Sequence, residues 1–579
     1  MSAAPPTTAR AERAPAEAAP AEASSPRRAA DRLVALAAGL ALLAALGLAF
    51  SLAWHRAYQV DEVESVHAAY AIATGKLIYR DFWQGHHPLL YGLLAPILPV
   101  DEPVAAFRIA RVVGFALLLA TVALSGWLTR RLGGCAWLAM MLLLLQSTFV
   151  ERGMEVRPDT LMTPLLLLAL VVGTFEDTPR LRRNALQGLL LGLAFLATQK
   201  AAIAAFAFGC VWLGQAISAR SPRLVLVPSL VWLMPFAGML GVLAALGGLE
   251  AFLEYNLFHP GESLRGQGAA ASARFSALGP LVVEGSRNLA FVLAAVTSLV
   301  LLGIRFLRGE HRRVWPTAWL AVVWLAGLFV MPFPYPYSQV GGLPPLAVAI
   351  AVALPIGIER FAARPRRLSA IRAVALLLVV LATATALPRL LRELGRTNTP
   401  QHHLLERVHA LTDESDRVLD LAGLYFRADA YPIYVMTGAH FARYQRGDYP
   451  ALAPWLREHG LDLFVVNYRM KWLTGADREF LQTNFVRVEP NVFLSGRDLD
   501  GLAIGETRQL EVTRAGLYRF DGEGVLLVDG EPFVEGSLPR GLHALTSPTA
   551  IARGRLVSSR APAYDAAPMT DVPVFYGFD

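Results

Sequence analysis

Two adjacent carboxylates, Asp61 and Glu62, begin a segment dense in titratable groups, VDEVESVHAAYAIATGKLIYRDFWQGHHPLLYGLLAPI (60–97). The segment follows an apolar run long enough to cross a membrane. Acidic side chains favour the N-termini of helices, so a pair of solvated caps for the next helix is one interpretation. The other is a carboxylate at the membrane face that acts as a general base or as a metal ligand. The further acids in the segment, with His86 and His87, favour the functional interpretation.

A second group of charges lies in EVRPDT (155–160), where Arg157 and Asp159 stand two residues apart before an apolar run. An ion pair that orients the helix at the interface is one explanation. A guanidinium also offers a planar fork suited to phosphate, which predicts an anion site. Lys200, one of only three lysines in the chain, sits between two apolar stretches. A lysine that extends to the interface and a functional group at that depth both fit this position.

A third feature is FPYPYSQVGGLPPL (333–346), in which four prolines interrupt any helix around Tyr335 and Tyr337. Tyrosines at this place suit an aromatic belt at the membrane interface. They suit equally well a surface that stacks on a sugar ring. The sequence leaves these two interpretations open.

The elements that must position these residues are mainly apolar helices. The chain of 579 residues is 55% hydrophobic and 17% charged, with a mean hydropathy of +0.43. Apolar runs of about 20 residues recur through its first two-thirds, as in polytopic helical membrane proteins. The net charge of +7 does not indicate nucleic acid, because the arginines cluster between apolar runs, where the positive-inside rule places them. Cys135 and Cys210 lie inside apolar runs, so no disulfide framework is expected.

The order of runs and loops predicts a topology. Residues 1–30 have the composition of a disordered tail, which we place in the cytoplasm. A transmembrane domain of about eleven helices is predicted over 31–390, starting with the apolar run 33–54. Arginine-rich loops alternate with loops poor in arginine, which places the N-terminus in the cytoplasm and the C-terminus outside.

The composition changes after residue 390. Alternating strand-like and helix-like patterns, such as LAPWLREHGLDLFVVNY, predict an extracytoplasmic α/β unit over 391–500. Period-2 alternation with an Asp529-Gly530 turn signal predicts a small β-sandwich over 501–579. Such a module either binds carbohydrate or has a purely structural role.

The motifs resemble those of the GT-C membrane glycosyltransferases that use polyprenyl-phosphate sugars. The most similar branch contains the protein O-mannosyltransferases and the lipid A aminoarabinose transferase. The resemblance covers roughly residues 33–390. It rests on Asp61-Glu62 after the first span, GKLIYRD and HPLL in the first external loop, RPD in the second, and Lys200 after the fifth span. Its specificity comes from the order and placement of these motifs.

The resemblance implies a role for each of these positions. Asp61 would be the catalytic base, with Glu62 beside it. Arg157, Asp159 and Lys200 would lie around the phosphate and sugar of the donor. The loop over the donor would be shaped by further residues of the first external loop, namely Tyr79, Arg80, Asp81 and His87, while Tyr335 and Tyr337 would form the substrate loop.

Two departures from the family pattern concern the leaving phosphate. Leu89 follows Pro88 where the family often has a second proline, and the loop around 333–346 lacks the arginine that the pattern leads one to expect. The contacts to the phosphate are therefore unassigned. Because this branch resembles metal-independent members, no metal or other cofactor is predicted, although His86 and the nearby acids would allow a divalent ion.

The implied function is transfer of a sugar from a polyprenyl-phosphate donor to an acceptor hydroxyl, with inversion, on the extracytoplasmic side of a bacterial inner membrane. The expected partners are the donor lipid, the bilayer, and an acceptor that is a lipid, a protein or a glycan. A transporter or flippase of lipid-linked sugars is the alternative, but the sequence shows no convincing internal halves. A non-catalytic subunit would leave Asp61, Arg157 and Lys200 without a role.

Overall fold

The computed structural model describes residues 25–258, 278–329, 331, 335–359, 364–564 and 569–576. Helices dominate the first two-thirds of the chain, and the described part of the predicted tail already belongs to the first of them. In chain order they are α1 (Ser25–His55), α2 (Val60–Ala73), α3 (Leu89–Leu94), α4 (Pro103–Arg131), α5 (Ala136–Leu144), α6 (Ser147–Gly153), α7 (Pro158–Gly173), α8 (Arg180–Ala197), α9 (Ala201–Ser218), α10 (Arg223–Leu246), α11 (Leu249–Leu253), α12 (Leu278–Arg287), α13 (Leu289–Leu307), α14 (Trp315–Gly327), α15 (Leu343–Ile358) and α16 (Arg364–Leu394).

Several of these helices are long and apolar enough to cross a membrane. Within the described residues six qualify singly, and the number is seven if α6 and α7, which are bent by 111° relative to each other, count as one span. The six are Arg32–His55, Pro103–Arg131, Ala201–Ser218, Arg223–Leu246, Leu289–Leu307 and Ser369–Leu394. The shorter helices α14 and α15 are apolar as well. The chain is thus a multi-pass membrane protein, while the expected total of about eleven crossings stays a prediction.

The outer faces of the long helices carry large apolar side chains that no other described part of the chain covers. Leu43 on α1, Leu230 on α10, Val300 on α13 and Leu376 on α16 are all exposed. Water would disfavour such a surface, whereas the hydrocarbon core of a bilayer accommodates it. These faces are therefore suited to contact with lipid.

The C-terminal part mixes four helices with twelve strands. The helices are α17 (Thr399–Leu411), α18 (Gly438–Arg446), α19 (Leu452–His459) and α20 (Gly475–Asn484). The strands are β1 (Arg417–Leu419), β2 (Ala428–Asp429), β3 (Leu463–Val465), β4 (Phe485–Glu489), β5 (Val492–Asp498), β6 (Arg508–Val512), β7 (Gly516–Gly522), β8 (Leu526–Val528), β9 (Glu531–Phe533), β10 (Glu535–Leu538), β11 (Gly541–Thr546) and β12 (Gly554–Ser558).

Two sheets organise these strands. An eight-stranded sheet has the order β10-β7-β12-β5-β3-β1-β2, with β4 also paired to β5, and a four-stranded sheet has the order β6-β11-β8-β9. β1 pairs with β2 and with β3 in parallel, whereas β5 pairs antiparallel with both β3 and β12. The larger sheet therefore runs across the predicted boundary at residue 500. Strands from both predicted units thus contribute to one sheet, and the division of the chain into these units stays a prediction.

The first external segment packs directly on this C-terminal part. Val63 and Val66 of α2 and Phe107 of α4 share one buried cluster with Val418 of β1 and Leu463 of β3. Burial of apolar side chains stabilises such a contact by about 1.5–3 kcal/mol for each fully buried residue. The helix that carries Asp61 is thus held between the transmembrane helices and the C-terminal sheet.

Candidate active site

The two acids at the start of α2 point to different surroundings. Asp61 forms an ion pair with Arg157, at 2.8 Å between Oδ2 and Nη2, and 27% of its side chain is exposed. Glu62 is fully buried, and its two oxygens accept hydrogen bonds from Arg111 of α4, one of them 2.7 Å long. Consecutive residues of a helix project about 100° apart. Asp61 therefore lies in an accessible site, while Glu62 fastens α2 to α4.

Arg157 lies at the sharp break between α6 and α7. Pro158 occupies the first position of α7, which ends the preceding extended stretch and fixes the new helix direction. α4 approaches this break closely at Gly114, where a Cβ atom would collide with the carbonyl oxygen of Met154. The broken span thus presents the guanidinium of Arg157 to Asp61 at the end of the membrane domain.

A buried carboxylate beneath the site, Glu155, holds several arginines. Its oxygens lie 3.0 Å from Arg56, 2.8 Å from Arg152 and 3.2 Å from Arg157. Arg56 also pairs with Glu393 of α16 at 2.7 Å. Glu155 was not among the predicted site residues, although an acid flanked by arginines between two apolar runs was a usable signal. This network fixes Arg157 from below and connects it to α1 and α16.

Lys200 and Asp159 form a second ion pair beside the first. Lys200 directly precedes α9, and its Nζ lies 2.7 Å from Oδ2 of Asp159 in the first turn of α7. The other oxygen of Asp159 is buried and has no hydrogen-bond partner among the described residues. That oxygen is an acceptor available to a ligand.

Tyr337 connects the two ion pairs. Its ring lies 3.8 Å from the guanidinium carbon of Arg157 and 5.0 Å from Nζ of Lys200. Both distances fall within the range of cation–π attraction. Tyr335 stacks on Tyr337 with ring centroids 5.1 Å apart and an interplanar angle of 13°. Burial, followed by the negative charge of Asp61, raises the pKa of Tyr335 to about 12, so its phenol stays neutral.

The tyrosine loop is itself held by Trp324 of α14. The indole Nε1 donates to the carbonyl oxygen of Ser338 at 3.0 Å. Gly341 packs so closely on the same ring that a Cβ atom there would overlap it. Phe333 and Pro334, at the start of the predicted loop, lie outside the described residues.

Of the predicted loop residues, Tyr79 and His87 are buried and hydrogen-bond to backbone carbonyl oxygens. Tyr79 has a left-handed backbone (φ 69°), and its buried hydroxyl donates to the carbonyl oxygen of His86 at 2.6 Å. His87 lies among the rings of Phe195 and Phe236, with Nδ1 2.5 Å from the carbonyl oxygen of Phe195. Burial lowers the pKa of His87 to about 4, so the ring is neutral at pH 7. Within the described residues, neither side chain forms a hydrogen bond with the two ion pairs Asp61–Arg157 and Asp159–Lys200.

Arg80 and Asp81 pair with each other on the surface, with nitrogen–oxygen distances of 2.7 and 2.9 Å. The neighbouring His86 was not among the predicted site residues, yet it responds to the charged cluster. Burial first, and the charge of Lys200 second, lower its pKa. Its buried Nδ1 has no hydrogen-bond partner among the described residues. His86 therefore belongs to the site, and Arg80 and Asp81 lie at its edge.

Glu64 and the C-terminal part complete the surroundings of Asp61. Glu64 follows Asp61 by one helical turn and is 7% exposed. Burial, and then the negative charge of Asp61, raise the pKa of Glu64 to about 8, while the charges of Arg469 and Arg157 oppose the rise. Gln84 donates to the hydroxyl of Tyr434 at 3.3 Å, which links the loop to the C-terminal part.

A second contact joins α2 to the C-terminal part through His67. Its Nδ1 lies 3.0 Å from the carbonyl oxygen of Gly423 and 2.9 Å from that of Tyr425. Its Nε2 lies 3.0 Å from a carboxylate oxygen of Asp429, whose other oxygen is 2.9 Å from Nζ of Lys76. Both ring nitrogens face acceptors, so this geometry suits an imidazolium, which donates from both.

No group of three or more His, Cys, Asp or Glu side chains that could hold a metal ion occurs in the part of the chain that the structure describes. Asp61, Asp159 and Glu155 are each engaged by arginine or lysine instead. The site thus consists of two ion pairs connected by a tyrosine, with a buried carboxyl and a buried imidazole beside them.

The same fold occurs in solved structures. ArnT from Cupriavidus metallidurans in the apo state superposes with a TM-score of 0.53 at 13% identity, over 81% of this chain and 98% of that chain. ArnT from the same organism bound to undecaprenyl phosphate gives a TM-score of 0.52 at 12% identity, over 79% of this chain and 97% of that chain. No family model and no curated protein matches the chain. At these identities the likeness to ArnT is one of fold.

Proposed function

We propose that this protein is a membrane glycosyltransferase that moves a sugar from a polyprenyl-phosphate donor to an acceptor hydroxyl. One observation carries the proposal. The series Asp61–Arg157–Tyr337–Lys200–Asp159 gathers a carboxylate that a substrate can reach, two cations and an aromatic face at one end of a broken span. Its fold is shared with ArnT, which one structure shows bound to undecaprenyl phosphate. These features match a donor with a lipid tail, a phosphate and a sugar.

Asp61 is the proposed general base. Its partial exposure lets an acceptor hydroxyl approach, and the ion pair with Arg157 orients the carboxylate. Asp61 would remove the proton of the hydroxyl while the oxygen attacks the anomeric carbon on the face opposite the phosphate. The carbon–oxygen bond to the phosphate would then break with inversion. A positioned general base contributes about 10²–10⁴-fold to such a step.

Arg157 and Lys200 are the proposed stabilisers of the leaving phosphate. The bond to the anomeric carbon breaks towards an oxygen of the phosphate, so negative charge grows there during the reaction. Cations that are already in place lower the energy of that transition state without reorganising. Glu155 and Tyr337 hold Arg157 from two sides, which limits its motion.

The sugar has complementary groups nearby. The unpaired oxygen of Asp159 can accept a hydrogen bond from a sugar hydroxyl, and the unpaired Nδ1 of His86 can donate or accept one, depending on its tautomer. Tyr335, stacked on Tyr337, adds an aromatic ring beside these polar groups. These four residues form the proposed donor-sugar site.

The remaining predicted residues take supporting roles in this proposal. Glu62 positions α2 by accepting hydrogen bonds from Arg111, and it takes no direct part in the proposed reaction. Tyr79 and His87 shape the loop that carries His86. Arg80 and Asp81 are a surface pair at the rim.

The proposal places the reaction at the extracytoplasmic interface of a bacterial inner membrane, with the N-terminus in the cytoplasm. The donor's tail would lie in the bilayer along the exposed apolar helices, and its phosphate would reach the site at the interface. A lipid, a protein or a glycan would serve as the acceptor, approaching beside the C-terminal part.

The test compares wild-type protein with Asp61→Asn in membranes supplied with radiolabelled polyprenyl-phosphate sugars. Asn keeps the size of the side chain but has no basic carboxylate, so we expect transfer to fall by about 10²-fold or more while donor binding persists. Asp101→Asn, at an exposed position four residues after the segment 60–97, is the matched control and should transfer label at the wild-type rate.

The same membranes distinguish the enzyme from a flippase. An enzyme yields labelled product with wild type and almost none with Asp61→Asn. If neither protein forms product from any donor, while both move the labelled lipid across the bilayer, the glycosyltransferase proposal is wrong.

A further inference from the structure

Arg469 is a buried arginine that the C-terminal part places near the site. It lies between β3 and the short helical turn Met470–Trp472 and is 5% exposed. Its Nε donates to the hydroxyl of Tyr468 at 3.1 Å, and its Nη1 donates to the carbonyl oxygen of Leu421 at 2.7 Å. These two bonds fix the plane and direction of the guanidinium.

Arg469 differs from Arg157 and Lys200 because it has no carboxylate partner among the described residues. Arg157 pairs with Asp61 and Glu155, and Lys200 pairs with Asp159. Arg469 forms no ion pair with any described carboxylate, and its side-chain hydrogen bonds go to two uncharged oxygens. The positive charges of Arg157 and Lys200 are balanced within the protein, and that of Arg469 is not balanced by direct contact.

Arg469 nevertheless acts on the residues around Asp61. Its charge opposes the rise in the pKa of Glu64 on α2 and in that of Tyr335 in the tyrosine loop. These two residues belong to separate elements of the membrane domain, and the negative charge of Asp61 raises the pKa of both. Arg469 also donates to the carbonyl oxygen of Leu421, two residues before Gly423, whose own carbonyl oxygen lies 3.0 Å from Nδ1 of His67 on α2. The guanidinium is therefore fixed to a segment that packs on the helix of the proposed base.

A buried guanidinium without a contacting counter-charge is costly, because it loses water without gaining an ion pair. A ligand that supplies the missing charge offsets this cost. A guanidinium recognises phosphate particularly well, since its fork of N–H donors matches two phosphate oxygens. The unbalanced charge of Arg469 thus has the chemistry of a phosphate site.

We propose that Arg469 binds the phosphate of the donor lipid, so that the C-terminal part forms one wall of the donor site. This inference rests on the proposed function, and it assigns to the phosphate a contact from outside the membrane domain. Arg157 and Lys200 then stabilise the charge that grows during bond cleavage, while Arg469 provides the net positive charge for binding. The C-terminal part is accordingly needed for donor affinity, in addition to any role towards the acceptor.

The test measures equilibrium binding of undecaprenyl phosphate to the full-length protein in detergent micelles. Arg469→Gln keeps a hydrogen-bonding side chain without charge, and we expect the dissociation constant to rise about 10- to 100-fold. Arg469→Lys should recover part of the loss, because it restores the charge without the fork. Undecaprenol, which has the same tail and no phosphate, should bind wild type and Arg469→Gln equally.

Arg427→Gln is the matched control. Arg427 is also a buried arginine of the C-terminal part without an ion pair to a described carboxylate, but its bonds go to Thr412 and to backbone carbonyls away from the site. Its loss should lower stability and leave the affinity of the folded protein for undecaprenyl phosphate unchanged. If Arg427→Gln and Arg469→Gln weaken binding equally, or if Arg469→Gln binds as wild type does, the phosphate role of Arg469 is refuted.

Inorganic phosphate separates this inference from the proposed function. If wild type does not bind undecaprenyl phosphate, the glycosyltransferase proposal and the donor assignment both fail. Stabilisation of wild type by millimolar phosphate, absent in Arg469→Gln, would then still support an anion site at Arg469. Equal responses of the two proteins to phosphate would overturn that site as well.

Discussion

Replacing Glu64 by Gln should make the protein more stable at neutral pH. Glu64 is buried on α2, which is not among the helices that could cross the membrane. Burial and the nearby charge of Asp61 raise its pKa from 4.5 to about 8. At pH 7 the folded protein therefore holds a proton on Glu64, whereas the unfolded chain releases it. Holding that proton at a pH where the free group ionises costs free energy of folding.

The magnitude follows from the difference in pKa. One pKa unit corresponds to about 1.4 kcal/mol, so the cost at pH 7 is about 3 kcal/mol. Because the folded pKa is raised, the stability from this group is fully present below pH 4.5 and is lost progressively as the pH rises towards about 8. Gln has the shape of the protonated carboxyl and does not titrate, so Glu64→Gln should remove this pH dependence.

The assay is the midpoint of thermal unfolding in detergent at pH 5, 6, 7 and 8. We expect wild type and Glu64→Gln to unfold at similar temperatures at pH 5, and the variant to unfold at a higher temperature at pH 7 and 8. Glu406→Gln, at an exposed position on α17, should behave as wild type at every pH. A Glu64→Gln variant with the wild-type pH profile, or one less stable at pH 8, would refute the reasoning.

Three further predictions concern the ion pairs. Glu155→Gln should lower the unfolding midpoint by an amount equivalent to about 3–5 kcal/mol, because it leaves buried arginines without their shared carboxylate; an unchanged midpoint would contradict this. Asp429→Asn should weaken the contact of His67 with the C-terminal part and speed limited proteolysis there, measured by gel at fixed protease; cleavage at the wild-type rate would count against that contact. Arg80→Ala should leave sugar transfer within about 2-fold of wild type, since the pair with Asp81 is exposed and screened by water; a larger loss would give Arg80 a direct role.

The sequence drew attention to Asp61, Arg157 and Lys200 because charged residues at the ends of apolar runs are rare. Their roles in catalysis stay predictions. The structure brings these three together with Asp159 and Tyr337. The polytopic class and the mixed C-terminal part were also predictable, because hydropathy and residue periodicity report them directly.

Two kinds of contact could not be predicted from the sequence. Side-chain direction depends on helix rotation and on loop conformation, so the sequence could not tell that Glu62 faces Arg111 or that His87 faces the ring of Phe195. Contacts between distant segments leave no local signal, and Arg469 approaches Glu64 only through the packing of the C-terminal sheet on α2. The continuous sheet across residue 500 was hidden for the same reason.

The central claim is that the chain breaks the bond between a polyprenyl phosphate and its sugar. The most direct measurement follows both products in proteoliposomes that contain the purified protein, a polyprenyl-phosphate sugar and extracted envelope acceptors, using mass spectrometry. We predict that free polyprenyl phosphate appears in equal amount with the glycosylated acceptor, and that Asp61→Asn forms neither. Donor lipid that remains intact, or that only changes leaflet, in vesicles with active wild-type protein would contradict the account.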